Sequence, residues 1–181
     1  MSKVIMITGG VRSGKSKYGE KLFSTDDVLY IATNYFVDDE MKKRIEIHKE
    51  FRNKKWGLLE EYKGLASVVK DRAEKNVFLD CVTALVTNYI FEENPDEQAP
   101  EYFDNVLSKI NRELTTLIET IRKENKNIIF ITNEVGFGLV PEHKLGRVFR
   151  DISGAINARI AELSDEVILM VSGIPIKIKG E

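Results

Sequence analysis

An eight-residue segment near the start of the chain constrains its fold and chemistry more than any other feature. Residues 9–16 have the sequence Gly-Gly-Val-Arg-Ser-Gly-Lys-Ser and directly follow the apolar run Val4–Thr8. They satisfy the pattern G-x-x-x-x-G-K-[ST], in which backbone N–H groups surround a β-phosphate. Lys15 would then reach the β- and γ-phosphates, and the Ser16 hydroxyl would bind Mg²⁺. An ordinary glycine-rich turn is the alternative. The complete pattern after a strand predicts that the chain binds a nucleoside triphosphate.

The size and charge of the chain exclude several other classes of protein. Its 181 residues suit one α/β domain, so we expect a single domain over residues 1–181. The 27 basic and 29 acidic residues give a formal net charge of −2, which provides no overall field for nucleic acid or an anionic membrane. No apolar run approaches the ~20 residues that span a bilayer, and the lone Cys81 precludes an intrachain disulfide. We expect a cytoplasmic protein without membrane insertion or a nucleic-acid partner.

Short apolar runs alternate with helical patterns along the chain. Helical spacing of apolar residues predicts helices over about residues 104–124 and 143–163. Residues 172–175 predict a turn into a short antiparallel edge strand over residues 176–179. The continuous runs predict strands buried on both faces: Val4–Thr8, Val28–Ala32, Val77–Cys81, Ile128–Thr132 and Val167–Val171. This order predicts an α/β fold of the P-loop NTPase type, with a mostly parallel sheet, helices on both faces and ligands at the carboxyl ends of the strands.

Two acidic residues at strand ends are candidates for a metal site. Asp80 ends an apolar run, the position expected for a carboxylate that holds Mg²⁺ or its water opposite a phosphate loop. A simple polar strand terminus is the alternative for Asp80. Glu134 follows the predicted strand Ile128–Thr132 and is a second candidate, although it could equally cap or brace the next loop. The predicted metal-site residues are therefore Ser16, Asp80 and Glu134.

One histidine lies among arginines at helical spacing. Arg44, His48 and Arg52 are four residues apart, so in a helix they share one face. The guanidinium groups disfavour protonation of the imidazole and attract phosphate oxygens, which would leave His48 neutral and nucleophilic beside an anion. An ordinary structural histidine that shares a face with Met41 and Ile45 is the alternative, and the pattern alone favours it.

Together these segments resemble one known family, the bifunctional adenosylcobinamide kinase / adenosylcobinamide-phosphate guanylyltransferases of cobalamin biosynthesis. The likeness extends over nearly the whole chain. Its most specific parts are the phosphate loop, the histidine segment and Phe149-Arg150-Asp151. Further similar segments are residues 30–33, 39–41, 86–88, 132–136 and 165–177.

The resemblance implies a transferase with two reactions. In the first, a nucleoside triphosphate phosphorylates the aminopropanol hydroxyl of adenosylcobinamide. In the second, a histidine at the position of His48 attacks the α-phosphate of GTP, expels pyrophosphate and passes GMP to the new phosphate, which gives adenosylcobinamide-GDP. The implied catalytic residues are His48 and Lys15, the implied nucleotides are GTP and ATP, and the implied cofactor is Mg²⁺. The resemblance also implies a homotrimer.

The resemblance further implies a set of nucleotide contacts. At three positions this chain departs from the usual family pattern: Asn53 replaces a Pro, Leu58 replaces a common Thr, and Asp80 replaces a longer Glu. We expect these departures to affect nucleotide preference and rate rather than the class of reaction. The implied contacts are Gly9, Gly10, Val11, Arg12, Ser13, Gly14, Lys15, Ser16, Thr33, Asn34, Tyr35, Lys49, Glu50, Phe51, Arg52, Glu60 and Asp80.

Two other functions are compatible with a phosphate loop. One is a small-molecule or nucleoside kinase with a single activity, which would lack the histidine chemistry. The other is a GTP-binding regulatory module. Such modules usually recognise guanine through an Asn-Lys-x-Asp segment, whereas residues 133–136 here are Asn-Glu-Val-Gly. The missing Lys and Asp disfavour a regulatory module.

Overall fold

Five of the strands that the structure describes follow continuous apolar runs, as expected where helices cover both faces of a parallel sheet. A computed structural model of the chain describes residues 2–34, 53–93 and 101–180. Within these ranges the strands are β1 Val4–Gly9, β2 Val28–Ala32, β3 Gly57–Glu60, β4 Asn76–Asp80, β5 Asn127–Ile131, β6 Glu166–Val171 and β7 Ile174–Lys179. The helices are α1 Lys15–Lys21, α2 Leu65–Asp71, α3 Val82–Glu92, α4 Tyr102–Lys123 and α5 Lys144–Leu163.

The described strands form one seven-stranded sheet in the order β3-β2-β4-β5-β1-β6-β7. All neighbouring strands pair in parallel except β6 and β7, which pair antiparallel at the edge. Strand β1, which leads into the phosphate loop, therefore lies inside the sheet between β5 and β6. Strand β5 separates β1 from β4, so the loop and the carboxyl end of β4 lie one strand apart at the same edge.

Helices cover both faces of the sheet, as the apolar runs predict. Helices α2 to α5 pack on one face in a core that includes Leu65, Leu85, Leu117 and Ile156. On the other face, α1 approaches the sheet closely at Gly19. A Cβ atom on Gly19 would lie 2.8 Å from Phe78 Cε2 and 3.1 Å from Cδ1 of both Ile7 and Ile131. Only a residue without a side chain fits between this helix and the sheet.

The sequence predicted most of these elements, with a few differences. The five predicted parallel strands and the two long helices are present, with ends shifted by at most two residues. The edge strand begins at Ile174 rather than Ile176, because Pro175 is tolerated in an edge strand. Strand β3 was not predicted. None of the described helices has both the length and the apolar character needed to cross a bilayer.

Candidate active site

The phosphate loop closes around the ammonium group of Lys15. Lys15 Nζ donates hydrogen bonds to the carbonyl oxygens of Gly9 at 2.9 Å and Gly10 at 2.5 Å, and only 7% of the residue is exposed. The backbone of Gly14 has φ 91°, a conformation that glycine adopts without strain. Lys15 begins helix α1, so the loop leads directly into a helix amino terminus, which favours bound phosphate.

The carboxyl-terminal hairpin supports one side of this loop. The Gly173 N–H donates to the Ser13 carbonyl oxygen over 3.1 Å. Next to it, the loop backbone lies so close to β6 that a Cβ atom on Gly9 would come within 2.3 Å of the Met170 carbonyl oxygen. The hairpin of β6 and β7 therefore fixes the loop in place, and Gly9 permits the close approach.

Asp80 faces the phosphate loop from the end of β4. Its Oδ2 accepts hydrogen bonds from the Tyr30 hydroxyl at 2.7 Å and from the Ser16 hydroxyl at 3.2 Å. Parallel pairing of β2 and β4 produces this geometry, since Tyr30 lies two residues before Ala32, the register partner of Asp80. The structure thus brings together two of the three predicted metal-site residues. It adds Tyr30, which the sequence analysis did not identify as a site residue.

The environment of this site shifts the ionisation of two groups in opposite directions. Burial lowers the pKa of Lys15, while the negative Asp80 carboxylate opposes the shift. Burial raises the pKa of the Cys81 thiol to about 11, and the Asp80 carboxylate adds to the increase. Cys81 therefore holds its proton at neutral pH, and a protonated thiol is a poor nucleophile.

Thr33 binds the backbone after Asp80 rather than pointing its hydroxyl outward. Its hydroxyl donates to the Cys81 carbonyl oxygen at 2.6 Å and accepts the Cys81 N–H at 3.0 Å. The buried Asn88 amide donates to the Thr33 carbonyl oxygen at 2.5 Å. These bonds join β2, β4 and α3 next to the site. The peptide bond between Asp80 and Cys81 is cis.

Glu134 contacts the first residue of the phosphate loop rather than Ser16 at its end. Its N–H donates to the Gly9 carbonyl oxygen at 3.0 Å, and its Oε1 accepts the Gly136 N–H at 2.8 Å. Glu134 thus braces the turn after β5 against the loop, which is the alternative role that the sequence left open. The geometry does not join Glu134 to the pair formed by Ser16 and Asp80.

Some of the remaining predicted residues lie in the part of the chain that the structure describes, and others do not. Glu60 ends β3, and Asn34 follows β2 one residue after Thr33, so both lie at the same sheet edge as Asp80. Asn53 and Leu58, which differ from the usual family pattern, are both exposed. The Asn53 side-chain amide donates a hydrogen bond to the Asp26 carboxylate at 3.0 Å. The predictions for Tyr35, His48, Lys49, Glu50, Phe51 and Arg52 lie outside the described residues.

The donor atoms around Asp80 suit a hard cation. Ser16 and Asp80 offer only oxygen atoms, as Mg²⁺ prefers, and this ion commonly uses one or two protein ligands together with substrate phosphates and water. Among residues 2–34, 53–93 and 101–180, no group of three or more His, Cys, Asp or Glu side chains could hold a metal ion by itself. A metal here would therefore depend on the nucleotide for part of its coordination.

Comparison with known proteins agrees with this arrangement. Residues 5–178 match the family described as CobU, cobinamide kinase / cobinamide phosphate guanyltransferase. The bifunctional adenosylcobalamin biosynthesis protein CobU of Escherichia coli is 41% identical over 180 residues, which cover 97% of this chain and 99% of the relative. CobU of Salmonella typhimurium is 42% identical with the same coverage, and CobP of Pseudomonas aeruginosa is 34% identical over 97% of each chain. The chain has a phosphate loop beside a carboxylate that could bind a metal ion, and it is similar to these proteins along its whole length. It therefore belongs to the cobinamide kinase / cobinamide phosphate guanyltransferase family of transferases.

Proposed function

We propose that this transferase performs both reactions of its family at one phosphate loop and that His48 carries GMP between them. The observation that carries the proposal is the grouping of Lys15, Ser16 and Asp80 at one sheet edge in a chain of this family. In the first reaction, the acceptor hydroxyl oxygen of adenosylcobinamide bonds to the γ-phosphorus of a nucleoside triphosphate. The bond from that phosphorus to the β-phosphate oxygen breaks, a nucleoside diphosphate leaves, and the hydroxyl proton is released to solvent.

The surroundings of Lys15 support a role in phosphoryl transfer. Its ammonium sits inside the loop on two carbonyl oxygens, where entering phosphate oxygens would replace those weaker partners. Ser16 and Asp80 would hold Mg²⁺ beside the same phosphates. When bound, the ion would neutralise charge that develops on the transferred group. Tyr30 keeps the Asp80 carboxylate turned toward Ser16.

In the second reaction, the His48 imidazole attacks the α-phosphorus of GTP. A phosphorus–nitrogen bond forms, the bond to the β-phosphate oxygen breaks, and pyrophosphate leaves. An oxygen of the new cobinamide phosphate then attacks the same phosphorus, the phosphorus–nitrogen bond breaks, and the imidazole is restored. The covalent step divides one difficult displacement into two easier ones. Support comes from the match of His48 to the family position and from its arginine neighbours in sequence.

The chain offers a matched control for this proposal, since it contains two histidines. His143 is exposed at the start of α5. Incubation with GTP labelled on the α-phosphate should leave acid-labile, base-stable label on the wild type and on His143→Ala. His48→Ala should lose the label and guanylyl transfer but should still phosphorylate cobinamide.

Three results would contradict the proposal. Label that persists in His48→Ala would place the intermediate elsewhere. A wild type that phosphorylates cobinamide without becoming labelled would indicate a kinase of single activity. GTP binding without either transfer would indicate a regulatory module.

The same proposal includes ATP and GTP as substrates, a single domain over residues 1–181, a homotrimer and a cytoplasmic location. These features rest on family resemblance and on composition. Sedimentation of the purified chain tests the subunit number, because a trimer has three times the mass of 20.7 kDa. Competition between ATP and GTP in the kinase reaction tests the identity of the phosphoryl donor.

A further inference from the structure

A cleft adjoins the phosphate loop at residues 9–13. Its volume is about 380 Å³, and its other walls are residues 169–172 and the turn that carries Glu134 and Phe137. These walls come from the ends of β5 and β6, the two strands that flank β1 in the sheet. Neither Ser16 nor Asp80 lines the cleft, so a metal ion bound between them would leave it open.

Three of the residues that line this cleft carry apolar side chains that are largely exposed. The exposed fraction is 85% for Phe137, 72% for Val11 and 47% for Val171. We name these three residues the apolar rim. Scattered exposed apolar residues are ordinary, but a group beside a catalytic loop is typical of a surface that binds an apolar partner.

The walls of the cleft are held in place without a ligand. The Glu134 N–H bond to Gly9 ties the turn after β5 to the loop, and the Gly136 N–H bond to Glu134 Oε1 closes that turn. On the other side, the Gly173 N–H bond to Ser13 fixes the end of the hairpin. The rim is therefore attached to the phosphate loop at two places, so a molecule bound on it would keep a fixed distance from the transferred phosphate.

We propose that the cleft and the apolar rim bind the cobinamide acceptor, with the aminopropanol arm in the cleft and one face of the corrin ring on the rim. This inference rests on the proposed function. An acceptor oxygen must come within about 3–3.5 Å of the phosphorus that it attacks, and this cleft opens directly onto the loop. Its size is near the low end of about 300–1,000 Å³ for small-molecule pockets, which admits the arm and leaves the macrocycle outside.

The chemistry of the lining also fits this acceptor. Arg12 and Glu134 are the charged residues of the cleft, whereas the rim itself is apolar. A corrin presents methyl groups and ring faces together with amide side chains. The ring would cover the rim, and the amides would reach the two charged side chains and the exposed backbone of the loop. Such a site combines a broad apolar surface with a few polar contacts.

Serine substitutions on the rim test this proposal. Phe137→Ser and Val171→Ser remove apolar area from side chains that are 85% and 47% exposed, so the fold should be retained. Each should raise the KM for cobinamide in the kinase reaction about tenfold, equivalent to about 1.4 kcal/mol. The dissociation constant of a fluorescent GTP analogue and the yield of GMP label on the protein should remain within about twofold.

Ile178→Ser is the matched control, since Ile178 is 59% exposed on β7 near the end of the hairpin farthest from the loop. It should leave the KM for cobinamide unchanged. Weaker binding of the GTP analogue at an unchanged KM would overturn the proposal and assign the cleft to a nucleoside. A changed sedimentation coefficient at an unchanged KM would instead make the rim a contact between copies of the chain. A wild type that does not phosphorylate cobinamide at all would contradict the proposed function itself.

Discussion

The hydrogen bond from Tyr30 to Asp80 allows a direct test of how the candidate site is held together. Tyr30 is 4% exposed, and its hydroxyl is the closer of the two donors to Asp80 Oδ2. Tyr30→Phe keeps the ring and removes this donor. Because a hydrogen bond to a charged group contributes about 1.5–3 kcal/mol net, we expect the free energy of unfolding to fall by about 2 kcal/mol. For a chain of this length, the melting temperature should fall by about 4–8 °C.

A second tyrosine provides the control for this experiment. The Tyr102 hydroxyl donates to the neutral carbonyl oxygen of Ile90 at 2.6 Å, far from Asp80 in the sequence. Tyr102→Phe should therefore lower the free energy of unfolding by only about 1 kcal/mol. Urea unfolding of both variants without nucleotide measures the difference. A double-mutant cycle of Tyr30→Phe with Asp80→Asn should give a coupling of about 1 kcal/mol or more. If Tyr30→Phe loses no more stability than Tyr102→Phe and shows no coupling to Asp80, the reasoning is refuted.

Three further predictions concern the same region. Asp80→Asn should raise the Mg²⁺ concentration that half-saturates the kinase reaction by at least about tenfold, and an unchanged requirement would show that Asp80 does not hold the ion. Gly19→Ala should lower the free energy of unfolding by about 1 kcal/mol, because the clash of the added methyl group with the Phe78 ring outweighs the better helix propensity of alanine. A variant that is more stable in urea would disprove the close approach. The pKa of Cys81 is about 11, against an ordinary value of 9.0, so at neutral pH the folded chain holds about 100-fold less Cys81 thiolate than the unfolded chain. Because the thiolate is the reactive form, iodoacetamide should modify the folded chain about 100-fold more slowly. Equal rates would contradict the burial of this thiol.

The features that sequence could predict are those encoded by short continuous segments. The phosphate loop is a contiguous motif. Strands β2 and β4 are continuous apolar runs, which can be recognised without knowing which strands lie beside them. The long helix α4 has apolar residues at regular spacing, and its six buried side chains follow that spacing closely. Local pattern and final packing agree at these places, so little could mislead the prediction.

The features that sequence missed depend on pairing between distant segments. Strand β3 has only four residues that alternate between exposed and partly buried, too weak a pattern to distinguish from a loop. Tyr30 joins the site because β2 and β4 pair in one particular register, which no local pattern reports. Asn88 reaches Thr33 across 55 residues of chain for the same reason. A tyrosine within an otherwise aliphatic buried strand was the one local signal available for Tyr30.

The position of β1 also has a consequence for the order of events during synthesis. This strand precedes both of its neighbours in the sheet, β5 and β6, which begin at Asn127 and Glu166. During synthesis the phosphate-binding segment therefore leaves the ribosome before either supporting strand has been made. We expect affinity for nucleotides to arise only after β5 and β6 have paired with β1, because these strands hold the loop in place.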